Sequence, residues 1–338
     1  MRYLAPLAII FSFLTRLRAL LFSVGFKRSH HLPGFVISVG NLEVGGTGKS
    51  PVVMALCEAL LARGFRPAIL TRGYRSGLKA EDSAVYLGSS LLMPPQQNTS
   101  FHADEARMQA ARLTNVPVIV GARRFLAAQR YLTSHPAPTH WILDDGFQHL
   151  QIHRDLDLVL LDAQRPFDNG WCIPAGRLRE PRSALKRAHH ILLTRSPSDP
   201  SWRAPKSLDS IPLPKHKLIF EDGPLLQVAG PPLVPGVSAR EGALVLGIAR
   251  PERVQAHLKS QGFNVLESLL VGDHQEIPEP ALHQLAQRCP VLVTTEKDFW
   301  RSPEVFRSLN LPIFVIPLRL HWASATSLLE IFMPFTSQ

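Results

Sequence analysis

The sequence has few cysteines, and they form no recognisable framework. Three occur in the chain, Cys57, Cys172 and Cys289, far apart and without C-x-x-C spacing. This pattern argues against a disulfide framework or a zinc site, and it favours a reducing compartment. Internal repeats and low-complexity tracts are also absent. Hydrophobic residues make up 45% and charged residues 19% of the chain, which excludes disorder, and 338 residues are enough for two domains.

The sequence contains few acidic and few aromatic residues. The formal net charge is +10, and aromatic residues make up only 8% of the chain. A basic surface suits a nucleic acid, a phosphorylated small molecule or an acidic membrane face, although it also serves general solubility. A nucleic-acid-binding protein would interleave aromatic residues with its basic runs. The aromatic residues of this chain lie mostly inside apolar runs, so we expect no nucleic-acid partner.

The N-terminal segment lacks an apolar run of the length that a membrane span needs. Its uninterrupted apolar part, from Leu4 to Leu14, is shorter than the roughly 20 residues of a span, and Arg16 and Arg18 interrupt the apolar stretch after it. No small-residue cleavage site is evident, so a secretory signal is not expected. The segment therefore predicts a membrane-associated helix over residues 1–28, lying in the headgroup layer. The alternative is an apolar helix packed on the protein's own core.

From residue 35 onwards, short apolar runs alternate with helical stretches. The predicted strands are Phe35–Val39, Pro67–Leu70, Val116–Val120, Trp141–Leu143, Leu158–Leu161 and His190–Leu193, and the predicted helices are Ser50–Arg63, Asp104–Leu113 and Arg123–Thr133. Strands interleaved with helices are typical of an α/β domain with a doubly wound, mostly parallel sheet.

A stretch rich in proline and serine separates this region from a second one. The stretch runs from Ser196 to Pro214 and predicts a linker or an irregular crossover. Beyond it we predict a smaller α/β domain with strands and one helix, namely Ala243–Ile248, Pro251–Gln261 (the helix), Asn264–Leu269, Val291–Thr294 and Ile313–Ile316. The predicted domains are residues 1–28, 29–205 and 206–338.

A glycine-rich turn comes directly after the first predicted strand and carries the clearest chemical signal. Backbone N–H groups close on phosphate oxygens only where no Cβ intervenes, which explains the glycines. The lysine would reach the β- and γ-phosphates, and the serine hydroxyl would bind Mg²⁺ at the start of a helix. The first glycine of the usual phosphate-loop pattern is replaced by Glu43. The predicted nucleotide-binding residues are Glu43, Val44, Gly45, Gly46, Thr47, Gly48, Lys49 and Ser50.

Two consecutive aspartates, Asp144 and Asp145, end another predicted strand. A carboxylate at the carboxyl end of a buried strand would lie beside the Mg²⁺ of the nucleotide. The alternative is an ordinary polar turn, because Asp-Asp-Gly is a common turn sequence. We predict Ser50, Asp144, Asp145 and Glu105 as the metal ligands.

Asp104 and several arginines complete the candidate site. Asp104 would be the N-cap of the next helix, or else a base that positions an attacking hydroxyl. Arg72, Arg124 and Arg179 come after predicted strands, where arginine suits phosphate recognition, although a single arginine is more often a solvated surface residue. His274 is of interest only if the second domain closes onto Asp104.

Taken together, these motifs resemble the tetraacyldisaccharide 4′-kinases, the membrane-associated lipid A kinases. The resemblance spans residues 40–298 in the family's order, and Asp-Asp-Gly-Phe-Gln-His is far more specific than a phosphate loop alone. The segments that carry it are Gly40–Asn41, Gly45–Pro51, Thr71–Tyr74, Asp104–Glu105, Asp144–His149, Arg154–Asp157, Pro174–Pro181, Gly272–His274 and Thr295–Asp298. The chain departs from the family where Gln275 comes after His274, because the family often has a His-His pair.

The resemblance implies ATP-dependent phosphorylation of the 4′-hydroxyl of a lipid A disaccharide 1-phosphate, with ATP and Mg²⁺ as cofactors. It implies a two-domain P-loop kinase at the cytoplasmic face of the bacterial inner membrane, peripheral or monotopic, with no obligate protein partner. Lys49, Asp104 and His274 carry over as catalytic residues, with Asp104 and His274 engaging the sugar hydroxyl. The predicted substrate residues are Arg72, Tyr74, Arg124, Gln148, His149, Arg179 and Glu180.

Three other functions compete with this one. The first is a P-loop ATPase, or a kinase of another anionic or soluble acceptor, which would ignore a lipid acceptor. The second is a nucleic-acid-binding protein, whose binding would depend steeply on salt. The third is a nucleotide-gated membrane scaffold, which would release no ADP in the presence of an acceptor.

Overall fold

The structure is a computed structural model, and it describes residues 2–73, 76–97, 101, 103–197, 199, 201–233, 240–248, 251–272, 275 and 277–322. The chain forms two compact units. The first contains residues up to Phe220 together with the chain from Leu320 onwards, and the second runs from Glu221 to Arg319. The boundaries predicted at residues 28 and 205 stay predictions, while the compact units divide inside a strand.

The first unit is built on a ten-stranded sheet, counted over the described residues. From one edge to the other, its strands are β15 (Leu318–Trp322), β9 (Lys215–Asp222), β8 (His190–Thr194), β7 (Leu156–Asp162), β1 (Phe35–Asn41), β6 (His140–Asp144), β2 (Pro67–Thr71), β5 (Val118–Gly121), β3 (Ser83–Leu87) and β4 (Ser90–Met93). The run from β9 to β5 is parallel, whereas β3 pairs antiparallel with both β5 and β4. The six strands predicted for this region are present, and the predicted mostly parallel α/β sheet is confirmed.

The central strands are apolar on both faces because both faces are covered. Every residue of β7 is buried, and so is every residue of β6. This is the pattern of parallel strands that pack against chain on each side. The helices of the first unit are α1 (Ala5–Ser23), α2 (Lys49–Ala62), α3 (Asp104–Arg112) and α4 (Arg124–Leu132), and short 3₁₀ turns lie at Arg2–Leu4, Arg182–Arg187 and Lys206–Leu208.

The register of the parallel strands decides which residues meet at the sheet's carboxyl edge. Val39 of β1 lies beside Asp144 of β6, and Asn41 of β1 lies beside Leu160 of β7. The phosphate loop, which comes directly after β1, is therefore flanked on each side by a strand that ends in aspartate, because β7 ends at Asp162. Ligands of open parallel sheets bind at this edge.

The helix α1 is a single helix of 19 residues with a mostly exposed surface. Ala8 is its one buried residue, and Phe11 packs partly against the core. Within the described part of the chain, α1 is the one helix long and apolar enough to cross a membrane by length and composition. The helix is longer than the uninterrupted apolar run Leu4–Leu14 on which the expectation was based, because Arg16 and Arg18 interrupt the apolar run but not the helix. The alternative of a helix buried in the protein's own core is wrong, since 6% of it is buried.

The second unit has a five-stranded sheet in the described residues. Its strands, in spatial order, are β10 (Leu226–Ala229), β14 (Ile313–Ile316), β13 (Leu292–Thr295), β11 (Glu241–Leu246) and β12 (Asn264–Leu270). Its helices are α5 (Pro251–Ser260), α6 (Glu279–Arg288), α7 (Glu296–Arg301) and α8 (Pro303–Ser308). All but β10 are parallel, so the predicted smaller α/β fold is present.

The charged segment after β13 is a capped helix of structural importance. The Thr295 hydroxyl caps α7 by accepting from the Asp298 N–H. The Asp298 carboxylate is fully buried, accepts from the Gly247 N–H at 2.9 Å and pairs with Arg301 at 3.1 Å. The sequence indicated no more than a charged turn at this place, because the partners of Asp298 come from β11 and from the end of α7.

Candidate active site

The phosphate loop runs from the end of β1 to the start of α2. Gly45 has a φ of +112° and Gly48 a φ of +84°, values that L side chains rarely adopt, so these two glycines are required by the backbone itself. A Cβ at Gly46 would meet nothing within 4 Å, so the need for glycine there would come from an approaching ligand. The Lys49 ammonium lies 3.3 Å from the Asn41 side-chain oxygen and 3.4 Å from an Asp145 carboxylate oxygen.

The Asp-Asp-Gly-Phe turn folds back over the end of β1. The Gly146 N–H donates to the Val39 carbonyl at 3.2 Å, and Asp145 adopts a left-handed backbone with a φ of +53°. A Cβ added to Gly40 would lie 2.5 Å from the Phe147 Cβ, so glycine at position 40 is what lets the turn approach. Asp144 and Asp145 thus lie in a turn, and this turn brings Asp145 to Lys49. The predicted role of the two aspartates as metal ligands stays a prediction.

The twin aspartates occupy different environments. Asp144 is buried, and the Gln109 side-chain amide donates to it at 2.7 Å. Burial raises the pKa of Asp144 above its ordinary value. For Asp145, burial also works to raise the pKa, but the charges of Lys49 and Arg179 outweigh it and hold that pKa below its usual range. Arg179 lies 2.7 Å from the Asp145 carboxylate.

Arg124 holds the backbone of the same turn. Its side chain is buried, and its two terminal nitrogens donate to the carbonyls of Asp144 and Asp145 at 2.8 and 3.1 Å. Burial lowers the pKa of Arg124 to about 10, so the guanidinium stays charged at neutral pH. These contacts fix the direction of the two aspartates. The predicted substrate contact of Arg124 stays a prediction.

The segment around Arg179 adds a short bridge beside the phosphate loop. Leu178 bridges Glu43, the Arg179 N–H donates to the Leu42 carbonyl at 2.6 Å, and the Val44 N–H donates to the Arg177 carbonyl at 2.9 Å. Glu43, which replaces the usual first glycine, is buried, and burial raises its pKa to about 6. The substitution is tolerated because the loop at Glu43 pairs with this segment instead of turning freely.

The other predicted substrate residues lie around this cluster. Glu180 is buried and pairs with Arg187 at 2.6 Å, while the Gln148 amide donates to the Asn41 carbonyl at 3.0 Å. The buried Gln148 Oε1 and His149 Nε2 atoms make no hydrogen bond within the described chain. Burial, followed by the charges of Arg124 and other arginines, lowers the pKa of His149 to about 3. Two buried polar atoms beside the Asp144–Asp145 turn are thus without a hydrogen-bond partner in the described chain.

Only some of the residues predicted to contact the sugar acceptor lie in the described part of the chain. Asp104 is the first residue of α3, so Ala103, and not Asp104, takes the N-cap position. Asp104 and Glu105 still lie in the first turn, where carboxylates suit the helix dipole. Arg72 is exposed directly after β2. Tyr74 and His274 lie outside the described residues.

Three residues of this region were missed at the level of sequence. Gln109 was not singled out, although it is a fully buried polar side chain of α3. Asp162 comes directly after the predicted strand Leu158–Leu161 and ends β7, so the reasoning applied to Asp144 could have found it. Arg195 comes after β8 with a φ of +55° and pairs with Asp162 at 2.6 Å. No local pattern marks Arg195, because its partners lie on other strands.

The oxygen donors at this edge fit a magnesium ion that is shared with a nucleotide. No group of three or more His, Cys, Asp or Glu side chains able to hold a metal occurs among the described residues. Mg²⁺ usually takes one or two carboxylates and completes its coordination with water and substrate phosphates. Asp144 and Asp145, with Ser50 at the start of α2, match that donor set. The Asp145 Oδ1 atom lies 3.4 Å from the Lys49 ammonium and makes no hydrogen bond within the described chain.

A parallel sheet, a glycine-lined anion nest and a lysine beside twin carboxylates define a P-loop enzyme of phosphoryl transfer. The chain matches the family model described as Tetraacyldisaccharide-1-P 4'-kinase over residues 1–334. It belongs to this family, and it is a phosphotransferase.

Curated relatives and a solved structure agree with this assignment. The chain is 37% identical over 305 residues to the tetraacyldisaccharide 4'-kinase of Pelobacter propionicus, covering 87% of this chain and 81% of the relative. It is 36% identical over 342 residues to that of Syntrophotalea carbinolica, covering 99% and 92%. A crystal structure of the "apo" form of LpxK from Aquifex aeolicus in complex with ATP superposes with a TM-score of 0.76 at 26% identity, covering 98% of both chains. The predicted family is confirmed.

Proposed function

We propose that this chain transfers the γ-phosphoryl group of ATP to the 4′-hydroxyl of a tetraacyldisaccharide 1-phosphate, a step of lipid A biosynthesis. The observation that carries the proposal is the meeting of Lys49 and Asp145 at 3.4 Å, beside a phosphate loop, in a chain of this family. A P-loop ATPase, or a kinase of another anionic or soluble acceptor, is not favoured, because the family match covers residues 1–334 and thus includes α1 and both units.

The phosphate side of the reaction depends on residues that the fold already holds in position. The Lys49 ammonium is held between the side chains of Asn41 and Asp145, from where it would reach the β- and γ-phosphates. Arg179 would add positive charge near the transferred group. Ser50, Asp144, Asp145 and Glu105 would hold Mg²⁺, which when bound would supply charge neutralisation between the phosphates.

The acceptor side is the less constrained part of the proposal. Asp104 would accept the proton of the attacking 4′-hydroxyl, with His274 of the second unit as its partner. In addition, Arg72, Tyr74, Gln148, His149 and Glu180 would line the sugar and phosphate positions. The free Nε2 of His149 and the free Oε1 of Gln148 support this, because both are hydrogen-bonding atoms without a partner in the described chain.

The N-terminal helix would bring the site to its lipid. Its exposed apolar side chains include Leu7, Ile10, Phe13, Leu14 and Leu20, each more than half exposed. Exposing so much apolar surface to water is unfavourable, and a bilayer would cover it. We propose that α1 anchors the enzyme to the cytoplasmic face of the bacterial inner membrane, where the net charge of +10 would favour anionic lipid.

The proposal is tested by ATP-dependent transfer of ³²P to a purified lipid A precursor in mixed micelles. We expect transfer by the wild type and none by Lys49→Ala, since the ammonium that neutralises the phosphates is lost. Lys259→Ala removes an exposed lysine of α5 and serves as the control. Hydrolysis of ATP without labelling of the lipid would instead identify an ATPase, and wild-type transfer by Lys49→Ala would refute the phosphate-loop assignment.

A further inference from the structure

Two arginines outside the phosphate loop hold its carbonyl oxygens. One guanidinium nitrogen of Arg195 donates to the Gly46 carbonyl at 2.9 Å, and one of Arg177 donates to the Val44 carbonyl at 2.9 Å. Arg195 comes from the end of β8, and Arg177 from the segment that bridges Glu43. Both contacts are made to backbone of the loop itself, and neither arginine is among the residues of the proposed function.

A held carbonyl fixes the direction of the N–H group in the same peptide plane. The C=O and N–H of a trans peptide point in opposite directions. An arginine that holds the Gly46 carbonyl therefore points the Thr47 N–H away from that arginine, and the contact with Val44 does the same for the Gly45 N–H. An anion nest works only when such N–H groups converge. Glycines are the residues whose peptide planes rotate most freely, so this loop needs an outside constraint.

The Arg195 side chain is itself anchored. Its other terminal nitrogen lies 2.6 Å from the Asp162 carboxylate, and Asp162 also accepts from the Gln164 N–H at 2.9 Å. Asp162 of β7 lies beside Thr194 of β8 in the sheet register. The Arg195–Asp162 pair is therefore held by two strands of the sheet that are not part of the phosphate loop. The aspartate offsets the arginine's charge, which makes orientation, and not charge, the main contribution of the pair.

We propose that Arg195 and Asp162 act as one positioning pair that preorganises the phosphate loop for nucleotide before any ligand arrives. This inference rests on the proposed function only in assuming that the loop binds a nucleotide phosphate. The ligand class is a nucleoside di- or triphosphate, and the pair acts through the Thr47 N–H. Arg195 is a positioning residue, since it reaches the ligand through the backbone of Gly46.

The test is a titration of the full-length protein in detergent with a fluorescent ADP analogue and Mg²⁺. We expect Arg195→Ala and Asp162→Asn each to weaken binding roughly ten-fold, the size typical of losing a charged hydrogen bond. The double variant should be no weaker than either single one, because the two residues act as a unit. Arg195→Lys should bind as weakly as Arg195→Ala, since one ammonium lacks the fork that spans both partners.

A matched ion pair elsewhere in the chain provides the control. Arg253 pairs with Asp222 at 2.7 Å, with side-chain exposures of 45% and 5%, close to the 42% and 12% of Arg195 and Asp162. Arg253→Ala should bind the analogue like the wild type. Millimolar guanidinium should restore binding to Arg195→Ala, which a misfolded protein would not show.

Three results would overturn the inference. The first is binding by Arg195→Ala that equals that of Arg253→Ala. The second is loss of unfolding stability in Arg195→Ala with an unchanged affinity for the analogue. The third is a loss confined to the arginine variant, with Asp162→Asn unaffected, which would mean that Arg195 contacts the phosphate directly. Failure of the wild type to bind the analogue would refute the proposed function instead, so the two failures are distinguishable.

Discussion

The neutral state of His149 has a measurable consequence for acid stability. Burial and the neighbouring arginines lower its pKa from 6.5 to about 3 in the folded protein. Between these values the unfolded chain binds a proton that the folded protein does not, so folding stability rises with pH in this window. The contribution is complete above pH 6.5 and is lost as the pH falls towards 3. Lowering the pH from 7.5 to 5 should reduce the free energy of unfolding by about 2 kcal/mol. Only the roughly 1.5 pH units below 6.5 contribute, at about 1.4 kcal/mol per unit.

The perturbation is His149→Gln, which keeps a polar side chain but removes the titrating group. The free energy of unfolding of wild type and variant is measured with denaturant at pH 7.5 and pH 5 in the same detergent. Between the two pH values, the variant should lose about 2 kcal/mol less of this free energy than the wild type. His283→Gln, which removes an exposed histidine of α6, is the control. The imidazole resonances of His149 should not titrate above pH 5 in NMR spectra. A folded-state titration near pH 6.5, or equal losses in both proteins, would refute the reasoning.

The same shift has a consequence for catalysis. A histidine with a pKa of about 3 is neutral at the pH at which the enzyme works, so it lacks the acidic proton of an imidazolium and is a poor base. Its Nε2 can still take part in a hydrogen bond with a ligand. The pH profile of kcat should therefore be the same in wild type and His149→Gln, even where kcat itself falls.

Three further predictions concern the acceptor base, the metal side and the membrane helix. Asp104→Ala should lower kcat by about 100-fold or more, with little change in the KM for ATP, and an effect confined to ATP binding would make Asp104 structural. Gln109→Leu removes the amide that donates to Asp144 and should weaken Mn²⁺ binding to the ADP complex roughly ten-fold by electron paramagnetic resonance. An unchanged Mn²⁺ affinity would contradict that role. Deleting residues 2–28 should abolish sedimentation with anionic vesicles while leaving nucleotide affinity intact, and continued sedimentation would show a second membrane contact.

Much of the catalytic edge could be predicted because each part of it is local in sequence. A glycine-rich turn after an apolar run predicts a phosphate loop wherever the chain carries it, and a strand that ends in Asp144 and Asp145 predicts a metal-side carboxylate. The parallel register then brings the two together, because Val39 and Asp144 are neighbours in the sheet. Glu43, which breaks the usual pattern, is explained only by its bridge to Leu178.

The residues that support the site could not be predicted in the same way. Gln109 reaches Asp144 across 35 positions, and Arg195 reaches Gly46 across 149. Neither contact leaves a periodic signal, since it depends on the distance between elements that are far apart in the chain. The roles predicted for Tyr74 and His274 stay predictions, because these residues lie outside the described chain.

The antiparallel strands and the edge strands were also not predictable from local sequence. Strands β3 and β4 have short, mixed sequences, and their partners determine them more than their own residues do. Strand β9 belongs to the first sheet although it comes after the proline-rich stretch, because it pairs with β8.

By itself, the sequence determined the parallel strands at the centre of the first sheet, the phosphate loop, the twin aspartates and the apolar N-terminal segment, because each is encoded by neighbouring residues. Only the tertiary structure decided that Arg124, Gln109 and the Arg195–Asp162 pair hold those parts in place. Such contacts join strands and helices whose proximity comes from packing the whole sheet, and that information is not contained in any local stretch of the chain.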